Sequence, residues 1–122
     1  MKVLVVDDSS MMRKVMIGAL SRIQISDVDQ VGDGDEAVTA VSKASYDLVL
    51  MDWNMPKMTG IDALKTMRAQ GSTVPVIMVT TEAEKSRVME ALKCGASSYV
   101  IKPFQPEQLI QRIQQVLEKK AA

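Results

Sequence analysis

Four short apolar runs in this 122-residue chain end in side chains able to do chemistry. Lys2-Val3-Leu4-Val5-Val6 runs into Asp7-Asp8, and Asp47-Leu48-Val49-Leu50-Met51 into Asp52. Pro75-Val76-Ile77-Met78-Val79 runs into Thr80-Thr81, and Ser98-Tyr99-Val100-Ile101 into Lys102. If these ends are neighbours, one place holds three carboxylates, a hydroxyl and an ammonium. Crowded carboxylates repel, and some acquire raised pKa values unless a cation neutralises them. A hard divalent cation with oxygen ligands is the natural compensator. Mg2+ in particular binds through one or two carboxylates, keeps several waters and spends the rest of its shell on phosphate oxygens. Phosphoryl transfer adds the need for an in-line nucleophile and further donors around the transferred group. Asp52 can be that nucleophile and form an acyl phosphate. Asp8, with Asp7 behind it, can hold Mg2+; Lys102 can pair with phosphoryl oxygens; Thr80 can donate a hydrogen bond.

Each residue also has a plainer role open to it. Asp7 and Asp8 can cap the helix that follows. Asp52 and Thr80 can satisfy turns. Lys102 can be a solvated lysine, although its place between a strand and Pro103 is unusual. The plain readings must hold at four strand ends together, and that conjunction is the weaker explanation. The chain has no histidine. An imidazole base, a histidine metal ligand or a phosphohistidine must therefore come from a partner, and zinc is disfavoured.

The elements that would position these groups alternate strand and helix five times. After Asp7-Asp8-Ser9-Ser10, a helix places Met12, Val15, Met16, Ala19, Leu20 and Ile23 on one face. Val28 to Val31 reads as a weak edge strand ending only in Gly32 and Asp33. A second helix turns Ala37, Val38, Ala40, Val41 and Ala44 inward. A loop with Pro56 and Gly60 leads to a third helix carrying Ile61, Leu64 and Met67. A fourth, from about Glu84 to Cys94, turns Val88, Ala91 and Leu92 inward and ends at Gly95. Pro106 suits the first turn of a last helix with Leu109, Ile110, Ile113, Val116 and Leu117 on its apolar face. Lys119 to Ala122 is expected to be a frayed tail. Unbroken apolar strands alternating with helices predict a parallel sheet covered on both faces, an α/β three-layer sandwich. Ligands bind such a sheet outside the carboxyl ends of its strands.

Composition agrees with one domain spanning 1–122 and sets aside other classes. Fifteen basic and fifteen acidic residues cancel, so no basic excess points to nucleic acid. Cys94 is alone, which rules out an intrachain disulfide. No apolar run is long enough for a membrane span. A cytoplasmic monomer without an output domain is expected. Ten methionines read as adaptable core filling.

Four stretches carry a resemblance. They are Val5-Val6-Asp7-Asp8-Ser9, Asp52-Trp53-Asn54-Met55-Pro56, Met78-Val79-Thr80, and Gly95-Ala96-Ser97-Ser98-Tyr99-Val100-Ile101-Lys102-Pro103-Phe104. In this order and spacing the chain, from Lys2 to about Leu117, resembles the response-regulator receiver domain, and within it the single-domain receivers of chemotaxis. The resemblance implies a flavodoxin-like (βα)5 fold with strand order 2-1-3-4-5. It implies Asp52 as the phosphoacceptor, charged by a phosphohistidine on a partner histidine kinase. Asp7, Asp8, Asp52 and the main-chain carbonyl of Asn54 become the Mg2+ ligands. Lys102 becomes the phosphoryl-contacting lysine, before a cis bond to Pro103. Thr80 and Tyr99 become a switch pair: the hydroxyl moves toward the phosphoryl group and the ring turns from exposed to buried. Asn54 and Glu82 flank the phosphoryl group and tune its lifetime, here toward a short one. Lys85, Arg87, Lys93, Tyr99 and Arg112 become a partner face, against a solvated surface as the plain reading. Thr81, larger than the residue many receivers carry there, together with Met55 and Met58 can restrict access to the site.

The implied function is a phosphorylation-activated response regulator of a two-component system, no enzyme beyond handling its own phosphoryl group. A flagellar motor switch protein is the expected target, with a phosphatase as a further partner. Two alternatives stand beside it. One is a phosphorelay intermediate or phosphate sink using the same site. The other is a small phosphatase with an aspartate nucleophile, which usually has a second acid two residues on, where this chain has Asn54. Flavodoxin-like nucleotide binding lacks a glycine-rich phosphate loop, since Gly32-Asp33-Gly34 is a weak match.

Overall fold

Each apolar run becomes a strand of one parallel sheet, and each intervening segment a helix. The computed structural model describes residues 1–121, with the side chains of residues 120 and 121 outside the description. The order is β1 (Lys2–Val6), α1 (Ser10–Arg22), β2 (Asp27–Val31), α2 (Gly34–Lys43), β3 (Leu48–Met51), α3 (Gly60–Ala69), β4 (Val76–Thr80), α4 (Lys85–Lys93), β5 (Ser98–Ile101) and α5 (Pro106–Ala121). The strands pair in the order β2-β1-β3-β4-β5, all parallel. The tail expected to fray from Lys119 instead continues α5 to Ala121, and Ala122 lies outside the described residues.

The strand period of two sorts the core into two layers. Leu4, Val6, Val49, Met51, Val76 and Met78 pack with Ala37 of α2, Ile61, Leu64 and Met67 of α3, and Ala91 of α4. Val3, Val5, Leu48, Leu50, Ile77 and Val79 pack with Met16 and Leu20 of α1 and with Leu109 and Ile113 of α5. The central strands β1, β3 and β4 are almost wholly buried, which is why they read as unbroken apolar runs. β2 and β5 are the edge strands, and β2 is exposed at Asp27, Asp29 and Gln30.

Two inward assignments are corrected. Val15 of α1 and Leu92 of α4 are exposed, at 43% and 45%. In α4 only Ala91 is buried, so that helix rests on the sheet by a small residue, leaves Val88 half-buried and turns Met89 and Leu92 outward. Gly95 follows α4 with φ +105°, the left-handed conformation expected after a helix end. Ser9, Asp33 and Thr59 cap α1, α2 and α3 through side-chain oxygens. No helix among the described residues is long and apolar enough to cross a membrane.

Candidate functional site

The pairing register brings the polar strand ends together. Val6 lies beside Met51, so Asp7 and Asp52 follow as neighbours, and the Asp52 N–H donates to the Val6 carbonyl at 3.0 Å. Thr80 lies beside Ile101, and the Lys102 N–H donates to the Thr80 carbonyl at 2.9 Å. Carboxylate oxygens of Asp7, Asp8 and Asp52 fall within 4.8 Å of one another. Asp7 and Asp52 are buried, while Asp8 is exposed at the mouth.

Lys102 enters this cluster from β5. Its Nζ lies 2.7 Å from Asp7 Oδ2 and 3.6 Å from Asp52 Oδ2. The Lys102–Pro103 peptide is cis, as the resemblance implied. Asp52 Oδ1 accepts the N–H of Trp53 at 2.8 Å, and the Thr80 hydroxyl lies close enough to the same carboxylate to favour its charged form. Burial pushes the Asp52 carboxyl above the usual range, Lys102 opposes this, and the charge of Asp7 adds to it. Asp7 is held from below: its Oδ1 accepts the N–H of Ser9 at 2.9 Å, and its carbonyl accepts Arg13 Nη1 at 2.6 Å.

The other predicted site residues fall around this centre. Asn54 is exposed, and its side-chain amide donates to Glu82 Oε1 at 3.0 Å across the mouth. Thr80 and Tyr99 meet through the main chain of Glu82. The Glu82 N–H donates to Thr80 Oγ1 at 3.3 Å, and the Tyr99 hydroxyl donates to the Glu82 carbonyl at 2.5 Å. Tyr99 is thus half-buried, neither fully out nor fully in, and burial pushes its hydroxyl up to about 12. Lys85, Lys93 and Arg112 are exposed, with Arg112 and Tyr99 lining one cleft of about 350 Å³. Arg87, expected on a partner face or a solvated helix surface, is exposed, lies over the buried Trp53 ring 5.6 Å from its centre, and pairs with Glu90 at 3.6 Å. Of the access residues, Thr81 is exposed and Met55 is buried.

Sequence reasoning missed Arg13 and Asp33 as residues that shape the site. Arg13 lies one helical turn beyond the acidic pair, where its reach to the Asp7 carbonyl is available from spacing alone. Asp33 gives no such signal, because its partners are distant in sequence.

The donor set suits a hard cation. Three carboxylates meet one ammonium, all the side-chain donors are oxygens, and a divalent ion would balance the remaining charge. The chain and its fold match known proteins closely. Residues 3–114 match the family described as the response regulator receiver domain. The chain belongs to the response regulator receiver family. Among similar receivers, the chemotaxis protein CheY1 of Helicobacter pylori is 42% identical over 120 residues, covering 96% of this chain and 97% of that one. The chemotaxis protein CheY of Pseudomonas aeruginosa is 37% identical over 121 residues, covering 98% of each. Two solved receivers share the architecture. The receiver domain of the Francisella response regulator 1452 superposes with a TM-score of 0.90 at 32% identity, covering 98% of each chain. The chemotaxis response regulator CheY4 of Vibrio cholerae gives 0.85 at 37% identity, covering 95% of this chain and 98% of that one.

Proposed function

We propose that this receiver is a phosphorylation-activated switch of a two-component system, acting in chemotaxis. The observation that carries the reading is the convergence of Asp7, Asp8 and Asp52 with Lys102 and Thr80 on one buried carboxylate. Asp7, Asp8, Asp52 and the Asn54 main-chain carbonyl would hold Mg2+, which supplies positive charge for carboxylate and phosphate oxygens.

Asp52 is the phosphoacceptor. A carboxylate oxygen attacks phosphorus in a phosphohistidine of the partner kinase; the P–N bond breaks, a P–O bond forms, and the imidazole leaves. Trp53 N–H orients the carboxylate, the nearby Thr80 hydroxyl can donate to the new phosphoryl group, and the Lys102 ammonium can shift from Asp7 toward the phosphoryl oxygens. Water later hydrolyses the acyl phosphate. Asn54 and Glu82, bonded to each other beside the site, flank the phosphoryl group and tune its lifetime, here toward a short one. As Thr80 moves toward the phosphoryl group, its link to Tyr99 through Glu82 changes, and the face around Tyr99, α4 and Arg112 shifts in partner preference. The relatives named as chemotaxis proteins support a motor-switch target over a relay or phosphate sink.

Trp53, buried beside Asp52, reports on the site. Its fluorescence should respond to Mg2+, and respond again when a small phosphodonor is added. A silent Trp53 in folded protein, or the same phosphodonor response in Asp52→Asn, counts against the reading. Co-purification with a histidine phosphotransfer protein rather than a motor component would move the function to a relay.

A further inference from the structure

Strand β2 sends no side chain into the acidic cluster, yet just beyond its end lies a buried carboxylate. Asp33 is 4% exposed. Its Oδ1 accepts the N–H of Gly34 at 2.8 Å and of Met58 at 2.8 Å, and its Oδ2 accepts the N–H of Lys57 at 3.0 Å. The Gly34 bond is the capping bond of α2. The other two reach 24 and 25 residues along the chain to the β3–α3 loop, which capping does not require. Burial acts to raise this carboxyl, but the backbone N–H donors outweigh it and hold the group below its ordinary range.

Two close approaches show how tightly that loop is seated. A Cβ on Gly34 would lie 2.5 Å from the Met58 carbonyl oxygen, so the start of α2 presses directly on the loop. Gly60, at the start of α3, closes the loop onto its beginning: its N–H donates to the Trp53 carbonyl at 2.8 Å, and a Cβ on it would lie 1.9 Å from the Asp52 carbonyl oxygen. Asn54 lies between Trp53, held by Gly60, and Lys57-Met58, held by Asp33. The β2 end is also tied to the acidic pair, because the Asp7 N–H donates to the Val31 carbonyl at 3.3 Å.

We propose that Asp33 is a positioning residue for the cation site: through Lys57 and Met58 it fixes the loop that presents the Asn54 main-chain carbonyl. The proposal rests on the reading of Asn54 as a ligand through its backbone. Outer groups that orient metal ligands typically matter by about 10–100-fold in affinity. Asp33 acts only through the backbone, and touches neither the cation nor the phosphoryl group.

The substitution Asp33→Ser separates capping from positioning. Serine is a good N-cap, but its hydroxyl is too short to bond both loop amides. Three readouts are needed, none involving phosphoryl transfer: Trp53 fluorescence titrated with Mg2+ alone, amide hydrogen exchange at Lys57 and Met58, and that exchange in the wild type with and without Mg2+. Asp33→Ser should weaken Mg2+ binding about tenfold or more and speed exchange at both amides. Asp33→Asn, which returns one acceptor at the original length, should recover part of the affinity. In the wild type, saturating Mg2+ should slow exchange at Lys57 and Met58, because coupling between two sites is reciprocal. A folded Asp33→Ser that binds Mg2+ within about twofold of wild type overturns the proposal. If that variant does not fold, the wild-type arm decides: Mg2+ that shifts Trp53 but leaves both exchange rates unchanged overturns it as well. A wild type in which Mg2+ changes neither readout removes the cation site itself, an outcome distinct from a wild-type response that survives loss of Asp33.

Discussion

Lys102 and Asp7 form the shortest ion pair among the described residues, 2.7 Å from Nζ to Oδ2, while Asp52 stands 3.6 Å from the same ammonium. The lysine thus neutralises the acid behind the site more closely than the proposed nucleophile. Both partners are largely buried, at 12% and 1% side-chain exposure. Removing one member of such a pair leaves an uncompensated charge.

Lys102→Met should therefore lose about 3–5 kcal/mol of stability in chelator, read by urea unfolding. Mg2+ should return more stability to this variant than to the wild type, because the cation takes over the neutralisation of Asp7 and Asp52. Equal Mg2+ increments in the two proteins would contradict the shared-charge account.

Thr80→Val should uncouple Tyr99 from Asp52. The variant keeps the volume of the buried residue and loses the acceptor for the Glu82 N–H, a loss of about 1–3 kcal/mol. Asp52 should still be phosphorylated, while the Tyr99 ring resonances should no longer shift when a phosphodonor is added. A Tyr99 shift equal to that of wild type would place the coupling elsewhere, with the Trp53–Arg87 stack as the next route.

Both tyrosines should resist ionisation. Burial and then Asp29, which accepts the Tyr46 hydroxyl at 2.7 Å, push Tyr46 up to about 12; burial and then Glu82 do the same for Tyr99. A raised folded pKa means that the stabilisation is fully present below the ordinary value of 10.0 and is lost as pH rises through about 12. Ultraviolet titration should find little tyrosinate at pH 10.0, where an ordinary tyrosine is half ionised. Half-ionisation at that pH would contradict both placements.

Asp33 carries the opposite sign. Its folded pKa lies below the ordinary 3.8, so its stabilisation is present above that value and is lost as pH falls through the folded one. The stability gap between wild type and Asp33→Ala should be full at neutral pH and shrink only on acidification below 3.8. Urea unfolding across that range reads it, and a gap that widens in acid would reverse the assignment.

The strand ends were legible in the sequence because a fully buried parallel strand is an unbroken apolar run, and its last residue shows as an abrupt polar step. Asp7, Asp52, Thr80 and Lys102 stand at those steps, and the register sets them side by side. Helix faces were less legible. Leu92 and Ala91 both follow Val88 at helical spacing, yet α4 buries only the small Ala91 and leaves Leu92 exposed, a choice made by packing against the sheet. Arg87 read only as part of a basic partner face or solvated surface, because nothing in its sequence neighbourhood reveals the Trp53 ring it lies over. Asp33 read as a turn residue for a similar reason: a capping aspartate and one that also holds a distant loop have the same local pattern.

The central claim is that Asp52 carries the phosphoryl group, and trapping the acyl phosphate tests it most directly. The protein is incubated with Mg2+ and a small phosphodonor, reduced with borohydride and digested. Reduction converts a phosphorylated aspartate to homoserine, which peptide mass spectrometry locates. The account predicts homoserine at position 52, dependent on Mg2+ and absent from Asp52→Asn. Homoserine at position 7 or 8 with Asp52 unmodified, or a mass gain of one phosphoryl group that persists in Asp52→Asn, would contradict it.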